Sequence, residues 1–177
     1  MKLIVLDRDG VINYESAAYI KSPAEWRPIP GSLNAIARLN QAGFHVVVAT
    51  NQSGIGRGFF DMAALNAIHA KMHQALAQAG ARVDAIFFCP HMADDNCRCR
   101  KPKTGMLEDI ARRLNTSLAG VPMVGDSSRD IEAAAAVHAS PLLVLTGNGK
   151  KTQRAGKLPP DTRVFADLAA AVDALAN

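Results

Sequence analysis

The sequence predicts an α/β protein built as a Rossmann-like parallel sheet sandwiched by helices. Three observations lead there. Short, β-branched apolar runs alternate with stretches of helical periodicity from end to end. Strands separated by helices imply right-handed βαβ crossovers and hence parallel pairing. The strand-like runs also end in carboxylates, a hydroxyl and amides, at the place where an open α/β sheet binds ligands.

Each element has its own signal. Residues 2–6 are a short apolar run and read as a buried strand. A polar loop spotted with aromatics follows to Pro30. Pro30-Gly31-Ser32 opens a helix with Leu33, Ile36, Ala37 and Leu39 on one face, and Gly43 stops it. Residues 44–49 form the second strand, ending at Thr50. Asp61 is a good N-cap for a long helix to about Ala79, closed by Gly80. Residues 85–88 are a third strand, and 90–103, rich in Cys, His, Asp, Arg and Pro, a loop. A helix over 104–114, a strand over 122–124, an alanine-rich helix over 131–137, a fifth strand over 142–145 and a closing helix over 165–176 complete the pattern. Residues 147–160 read as a surface loop.

The 177 residues suit one domain, 1–177, large enough to bury a core without disulfides. No repeat or low-complexity linker divides it. Half the residues are hydrophobic and a fifth charged, which argues against wholesale disorder. No apolar run approaches a membrane span, and the first charge after the initial LIVL run comes too early for a signal-peptide core. The expectation is a cytoplasmic monomer with no membrane partner. The net charge of +4 is modest and spread along the chain. It suits a small anionic substrate and gives little support to nucleic-acid binding.

The strand ends carry the chemistry. The first runs into Asp7-Arg8-Asp9-Gly10, the second into Thr50-Asn51, and the fourth into Gly125-Asp126, with Asp130 one turn later; Lys101 follows the third. Several carboxylates, a hydroxyl and an ammonium suit magnesium-assisted phosphoryl transfer, since magnesium prefers hard oxygen ligands. Asp7 can attack phosphorus. Asp9 can protonate the leaving oxygen and then activate water. Thr50 and Lys101 can hold the phosphoryl oxygens. Any one of these aspartates alone would read as a turn or helix cap.

In this order, Asp7-Arg8-Asp9-Gly10-Val11, Thr50-Asn51, Lys101-Pro102 and Gly125-Asp126-Ser127-Ser128-Arg129-Asp130 resemble the four motifs of the haloacid dehalogenase superfamily. The resemblance spans nearly the whole chain. It implies Asp7 as nucleophile, Asp9 as general acid/base, Thr50 and Lys101 as phosphate ligands, and magnesium held by Asp7, Asp126 and the backbone carbonyl of Asp9. It also implies a capless member, because no insertion is long enough for a cap domain.

All three cysteines fall in one loop, as Cys89-Pro90-His91 and Cys97-Arg98-Cys99. Three thiolates and an imidazole make a closed tetrahedral set for structural zinc. Free thiols or a disulfide are the alternatives, and an odd count argues against a disulfide framework. Pinning this loop would aim Arg100 and Lys101 at the phosphate pocket.

Other features say less. Gly54-Ile55-Gly56-Arg57-Gly58 lacks the rest of any nucleotide motif and reads as a flexible substrate loop. His69 and His73 stand four apart on a helix, but without a neighbouring Glu they read as a solvated face. The methionines read as core. Tyr14, Tyr19 and Trp26 either line a substrate site or pack the first loop down.

Within the superfamily, the cysteine loop is similar to that of a small group containing the heptose-bisphosphate and the histidinol-phosphate phosphatases. Ser53 after Asn51-Gln52, and the Arg57-Gly58 pair, resemble the heptose branch. That implies a phosphosugar substrate losing its C7 phosphate, in nucleotide-heptose synthesis for lipopolysaccharide core. Glu15, Ser16, Asn51, Gln52, Ser53, Arg57 and Arg100 are the expected substrate-binding residues, with Arg100 or Arg57 free for a second phosphate. Histidinol phosphate is the rival substrate. A zinc-stabilised binding module is the rival class, and would not need Asp7 and Asp9 facing Asp126.

Overall fold

A computed structural model describes residues 1–177. Six strands form one parallel sheet in the order β3-β2-β1-β4-β5-β6: β1 (Leu3–Leu6), β2 (His45–Asn51), β3 (Ala85–Cys89), β4 (Pro122–Gly125), β5 (Ser140–Val144) and β6 (Arg163–Phe165). Seven helices connect or follow them: α1 (Ser32–Gln41), α2 (Ser53–Gly56), α3 (Met62–Gln78), α4 (Gly105–Arg113), α5 (Ser128–Ala136), α6 (Gly149–Ala155) and α7 (Leu168–Leu175). No helix is long and apolar enough to cross a membrane.

Alternation along β1 and β2 builds a core on each face of the sheet. Ile4, Leu6, Val46 and Val48 join α1, α3 and α7 in the larger one, through Ile36, Leu39, Ile68, Met72 and Val172. Leu3, Val5, Val47 and Ala49 meet Met106, Leu107 and Ile110 of α4 and Ala133 and Ala134 of α5 on the other. With both faces covered, the strands can be apolar at every position, as the four buried residues of β1 are. The strand order reverses between β1 and β4, so a crevice opens beyond their carboxyl ends.

Several boundaries differ from the sequence reading. Residues 147–160 contain α6, which has no apolar stripe; polar contacts hold it, with Thr152 Oγ1 donating to the Asp126 carbonyl at 2.8 Å. The sheet has a sixth strand. Phe165, expected in the closing helix, belongs to it, and its carbonyl accepts from Leu145 N. The helix begins at Leu168 because Asp167 caps it, accepting from Ala170 N. Helix α5 begins at Ser128, earlier than the alanine run suggests, because Ser127 and Asp130 form a reciprocal capping box. The Gly54–Gly58 stretch is not merely a loop: Ser53–Gly56 is a helical turn.

Of the three first-loop aromatics, Trp26 is buried in the larger core, Tyr14 is exposed, and Tyr19 lines the crevice. Met72, Met106 and Met123 are core residues as expected, whereas Met1 and Met62 are exposed.

Candidate active site

The crevice is a cavity of about 270 Å³, and Asp7, Asp9, Lys101, Asp126, Asp130 and Arg100 stand in its wall. Asp7 is the first residue past β1, fixed by its N–H donating to Val124 O at 2.9 Å. Asp126 follows β4 directly. Lys101 arrives from the loop after β3, and Asn51 grips it from both sides: Asn51 Nδ2 donates to Lys101 O, and Lys101 N donates to Asn51 Oδ1, each at 3.1 Å.

One ammonium serves several carboxylates. Lys101 Nζ, 1 % exposed, is 2.6 Å from Asp130 Oδ1 and 3.2 Å from Asp7 Oδ1, and donates to Ala49 O at 2.7 Å. Burial alone would lower the lysine's pKa, but Asp130 and Asp7 outweigh it and raise it, so the lysine stays charged. Burial raises the Asp130 pKa, and Lys101 brings it below the ordinary value. Burial and then Asp130 push Asp7 well up, and the same two causes push Asp126 up to about 7. The pocket therefore holds more carboxyl groups than Lys101 can neutralise.

The hydrogen bonds sort these carboxylates. Asp7, Asp126 and Asp130 bring an oxygen each within 4.8 Å of one another. Asp130 is saturated: Oδ1 takes Lys101, and Oδ2 takes Asp126 N, Ser127 N and Ser127 Oγ. Asp7 Oδ1 takes Arg8 N and faces Lys101, and Asp126 Oδ2 takes Asn148 N at 2.8 Å. Oδ2 of Asp7 and Oδ1 of Asp126 receive no hydrogen bond from the protein. Two hard oxygens in a crowded, electronegative pocket fit magnesium.

The backbone is shaped around the same carboxylate. Gly10 and Gly147 have φ of +83° and +55°, and a Cβ on either would overlap Asp126 Oδ2. Only glycine suits both the conformation and the close approach.

Gln52 Nε2 donates to Thr50 Oγ1 at 2.9 Å and Asp9 Oδ2 at 3.1 Å, so it joins the second strand end to the first. Of the expected catalytic residues, Asp7, Asp9 and Lys101 line the cavity. Thr50 is buried at the end of β2, its hydroxyl accepting from Gln52. Glu15, Ser16, Asn51, Gln52, Ser53, Arg57 and Arg100 all line it. Tyr19, one of the first-loop aromatics, lines it too, while sequence reasoning missed Ser127, Arg129 and Asn148 as lining residues. Asn148 fell in the stretch read as a plain loop, and no sequence signal marked it.

The cysteine loop folds as one cluster. Cys89 Sγ is 3.6 Å from both His91 Nδ1 and Cys97 Sγ, Cys99 Sγ is 3.4 Å from His91 Nδ1, and Cys99 is 2.8 Å from Cys89. Tetrahedral Zn–S bonds of about 2.3 Å place ligand atoms about 3.7 Å apart, near most of these separations. No disulfide joins them. The cluster is tied to the substrate side, since Gln52 N donates to Cys89 O at 2.8 Å and Gly56 N to Pro90 O at 2.9 Å. His69, expected on a solvated face, is instead buried and contacts Arg8. It stands on the buried face of α3 with Leu65, Ile68 and Met72, where Arg8 is its polar partner.

Known proteins resemble this chain in sequence and fold. A family model described as HAD-hydrolase-like matches residues 98–171. A D-glycero-beta-D-manno-heptose-1,7-bisphosphate 7-phosphatase of Bordetella bronchiseptica is 63% identical over 175 residues, covering 99% of this chain and 98% of its own. One from Pseudomonas putida is 55% identical, covering 96% and 97%. The crystal structure of the D,D-heptose 1,7-bisphosphate phosphatase from B. bronchiseptica, complexed with magnesium and phosphate, superposes with a TM-score of 0.97 at 63% identity, covering 99% of this chain and 98% of that one. That from Burkholderia thailandensis gives 0.80 at 54% identity, covering all of both chains. Identity at this level over essentially full length, together with the Asp7–Asp9–Lys101–Asp126 crevice, places the chain in the haloacid dehalogenase superfamily, in the family of D-glycero-D-manno-heptose-1,7-bisphosphate 7-phosphatases.

Proposed function

We propose that this chain hydrolyses the C7 phosphate of D-glycero-D-manno-heptose 1,7-bisphosphate through an aspartyl-phosphate intermediate, in nucleotide-heptose synthesis for lipopolysaccharide core. One observation carries the reading: Asp7 and Asp126 each keep an oxygen free beside a buried, charged Lys101, in a cavity whose wall also holds Arg57 and Arg100. Asp7 and Asp126, with the Asp9 carbonyl, would hold magnesium, which offsets the repulsion between an anionic nucleophile and an anionic phosphate.

Asp7 attacks phosphorus as the bond to the C7 oxygen breaks, and Asp9 gives that oxygen its proton. A water then attacks the phosphorus of the aspartyl phosphate and yields its proton to Asp9, freeing phosphate and restoring Asp7. Lys101 stabilises the charge on the transferred oxygens. Thr50, whose hydroxyl also accepts from Gln52 Nε2, would hold a phosphoryl oxygen alongside Lys101. The four ligands Cys89, His91, Cys97 and Cys99 would hold structural zinc and fix the loop that delivers Arg100 and Lys101.

The arginines favour a bisphosphate over histidinol phosphate. Histidinol phosphate has one phosphate and an amine, and the guanidiniums of Arg57, Arg100 and Arg129 in the wall would repel its ammonium. Phosphorus NMR of the magnesium-supplemented reaction tests the assignment. The C7 signal should disappear while the C1 phosphate persists. Preferential hydrolysis of histidinol phosphate, or loss of the C1 phosphate, would overturn it.

A further inference from the structure

Arg8, between the two aspartates of the first motif, is fully buried. Its Nε and Nη2 donate to Asp9 Oδ1 at 3.0 and 2.9 Å. Its Nη1 lies 3.0 Å from Nε2 of His69, on α3. A guanidinium has donors only, so His69 must accept: Nε2 is bare, and the proton of the neutral ring is on Nδ1. Burial first, and the Arg8 charge second, hold the His69 pKa down at about 4, so the ring is neutral at pH 7. Asn13 Nδ2 adds a third donor to Asp9 Oδ1 at 2.9 Å. Oδ2 of Asp9 receives only Gln52 Nε2, at 3.1 Å.

We propose that His69 is a positioning residue for the reaction: by accepting from Arg8 Nη1 it holds the guanidinium fork on Oδ1 of Asp9 and dedicates Oδ2 to the substrate's proton. This rests on the reading of Asp9 as the acid–base group. An oxygen with three donors has no lone pair left for a proton, so Oδ2 is the oxygen that handles the proton in the reaction. It passes from there to the leaving sugar oxygen as the Asp7–phosphorus bond forms, and Oδ2 later takes one from the attacking water. Without an acceptor at position 69, Nη1 is a buried orphan. The fork then swings to find another partner, and the Asp9 carboxylate is free to rotate.

The test compares two leaving groups in single-turnover kinetics with magnesium. The sugar alkoxide of the heptose bisphosphate needs a proton; the nitrophenolate of 4-nitrophenyl phosphate does not. His69→Leu should slow sugar release about 10- to 100-fold, the range for a small misplacement of a reacting group. It should leave nitrophenolate release close to wild type and KM unchanged. His69→Gln, whose amide oxygen can accept from Nη1, should restore most of the lost rate. Equal slowing of both substrates, or a His69→Gln enzyme as slow as His69→Leu, overturns the inference. Asp9→Asn run alongside separates the two readings: if it shows the leaving-group dependence and His69→Leu does not, only the role of His69 falls. If Asp9→Asn lacks that dependence, the reading of Asp9 falls and takes this one with it. Should His69→Leu fail to fold, nitrogen-15 NMR of the wild-type ring decides, because a proton found on Nε2 refutes the hydrogen bond.

Discussion

Lys101 and Asp130 form a buried ion pair at 2.6 Å, with side chains only 1% and 2% exposed. The pair explains how the third and fourth motifs act together. Asp130 restrains the ammonium, and its other oxygen takes the N–H groups of Asp126 and Ser127. One carboxylate therefore aligns both the phosphate-binding cation and the strand end that presents Asp126. It does so by using up its own lone pairs, which leaves Asp7 and Asp126 as the carboxylates open to a metal.

Removing that charge should cost stability as well as activity. Asp130→Asn leaves a buried ammonium with Asp7 alone, and breaking a buried pair from one side costs about 3–5 kcal/mol. Urea unfolding should show that loss, with phosphatase activity falling in the same variant. A stability loss under about 1 kcal/mol would mean Lys101 finds water or another partner.

Asp7→Asn should abolish turnover while the fold survives. Asp7 is pushed up by burial and by its acidic neighbours, so removing its charge relieves repulsion. The variant should therefore be at least as stable as wild type in thermal melts. Substantial hydrolysis by Asp7→Asn would remove it as nucleophile.

The cysteine loop should contain about one zinc per chain, the count for four converging ligands. Burial acts to raise the Cys97 pKa, but the Arg100 N–H and the neighbouring thiols and imidazole outweigh it and hold Cys97 at about 6. It is thus the readiest thiolate. Cys97→Ser or chelation should loosen the loop and lower activity together, through the Gly56–Pro90 and Gln52–Cys89 ties. Active protein with no zinc by elemental analysis would refute the assignment.

The sequence made the sheet and the acidic crevice legible because both rest on local signals. Apolar runs mark β1 and β2, and the four motifs sit where those strands end. Helix α6 and β6 were hidden because their stability is not local: α6 has no apolar face, and β6 is three residues at a sheet edge. Thr50 shows a different limit. Its motif position suggests direct phosphate contact, and only the fold reveals that its hydroxyl also accepts from Gln52. His69 looked solvated because nothing in helix periodicity reveals a buried arginine 61 residues away.

That histidine should also leave a mark on stability. Its folded pKa of about 4 lies below the ordinary 6.5, because burial and the Arg8 charge disfavour the imidazolium. Between those values the unfolded chain binds a proton that the folded chain does not, so stability falls as pH drops from 6.5 towards 4. The full effect is on the order of 3 kcal/mol, since a tenfold change in proton affinity is worth about 1.4 kcal/mol. The urea midpoint should therefore fall further between pH 7 and pH 4.5 in wild type than in His69→Gln, which has no such group. Equal pH dependence in the two proteins would show that His69 titrates normally.

Substrate choice should turn on Arg100. Its Nη1 is buried without a hydrogen-bond partner, and the side chain lines the same cavity as Asp7 and Lys101. An unpaired buried guanidinium nitrogen is costly unless a ligand supplies an acceptor. Arg100 directly follows Cys99, so a fixed cysteine cluster sets where its fork points. A guanidinium can hold a phosphate through two parallel hydrogen bonds, which a lysine cannot imitate. Arg100→Ala should therefore weaken catalysis on the heptose bisphosphate far more than on a small monophosphate ester. The difference should be about 1.5–3 kcal/mol, the value of a hydrogen bond to a charged group. That corresponds to about 10- to 100-fold in the ratio of kcat/KM values. Arg100→Lys should recover only part of it, because the charge returns without the fork. If Arg100 served only the loop, both substrates would suffer alike and the ratio would not move. An unchanged ratio in Arg100→Ala would thus place the second phosphate elsewhere, with Arg57 and Arg129 as the other guanidiniums in the wall.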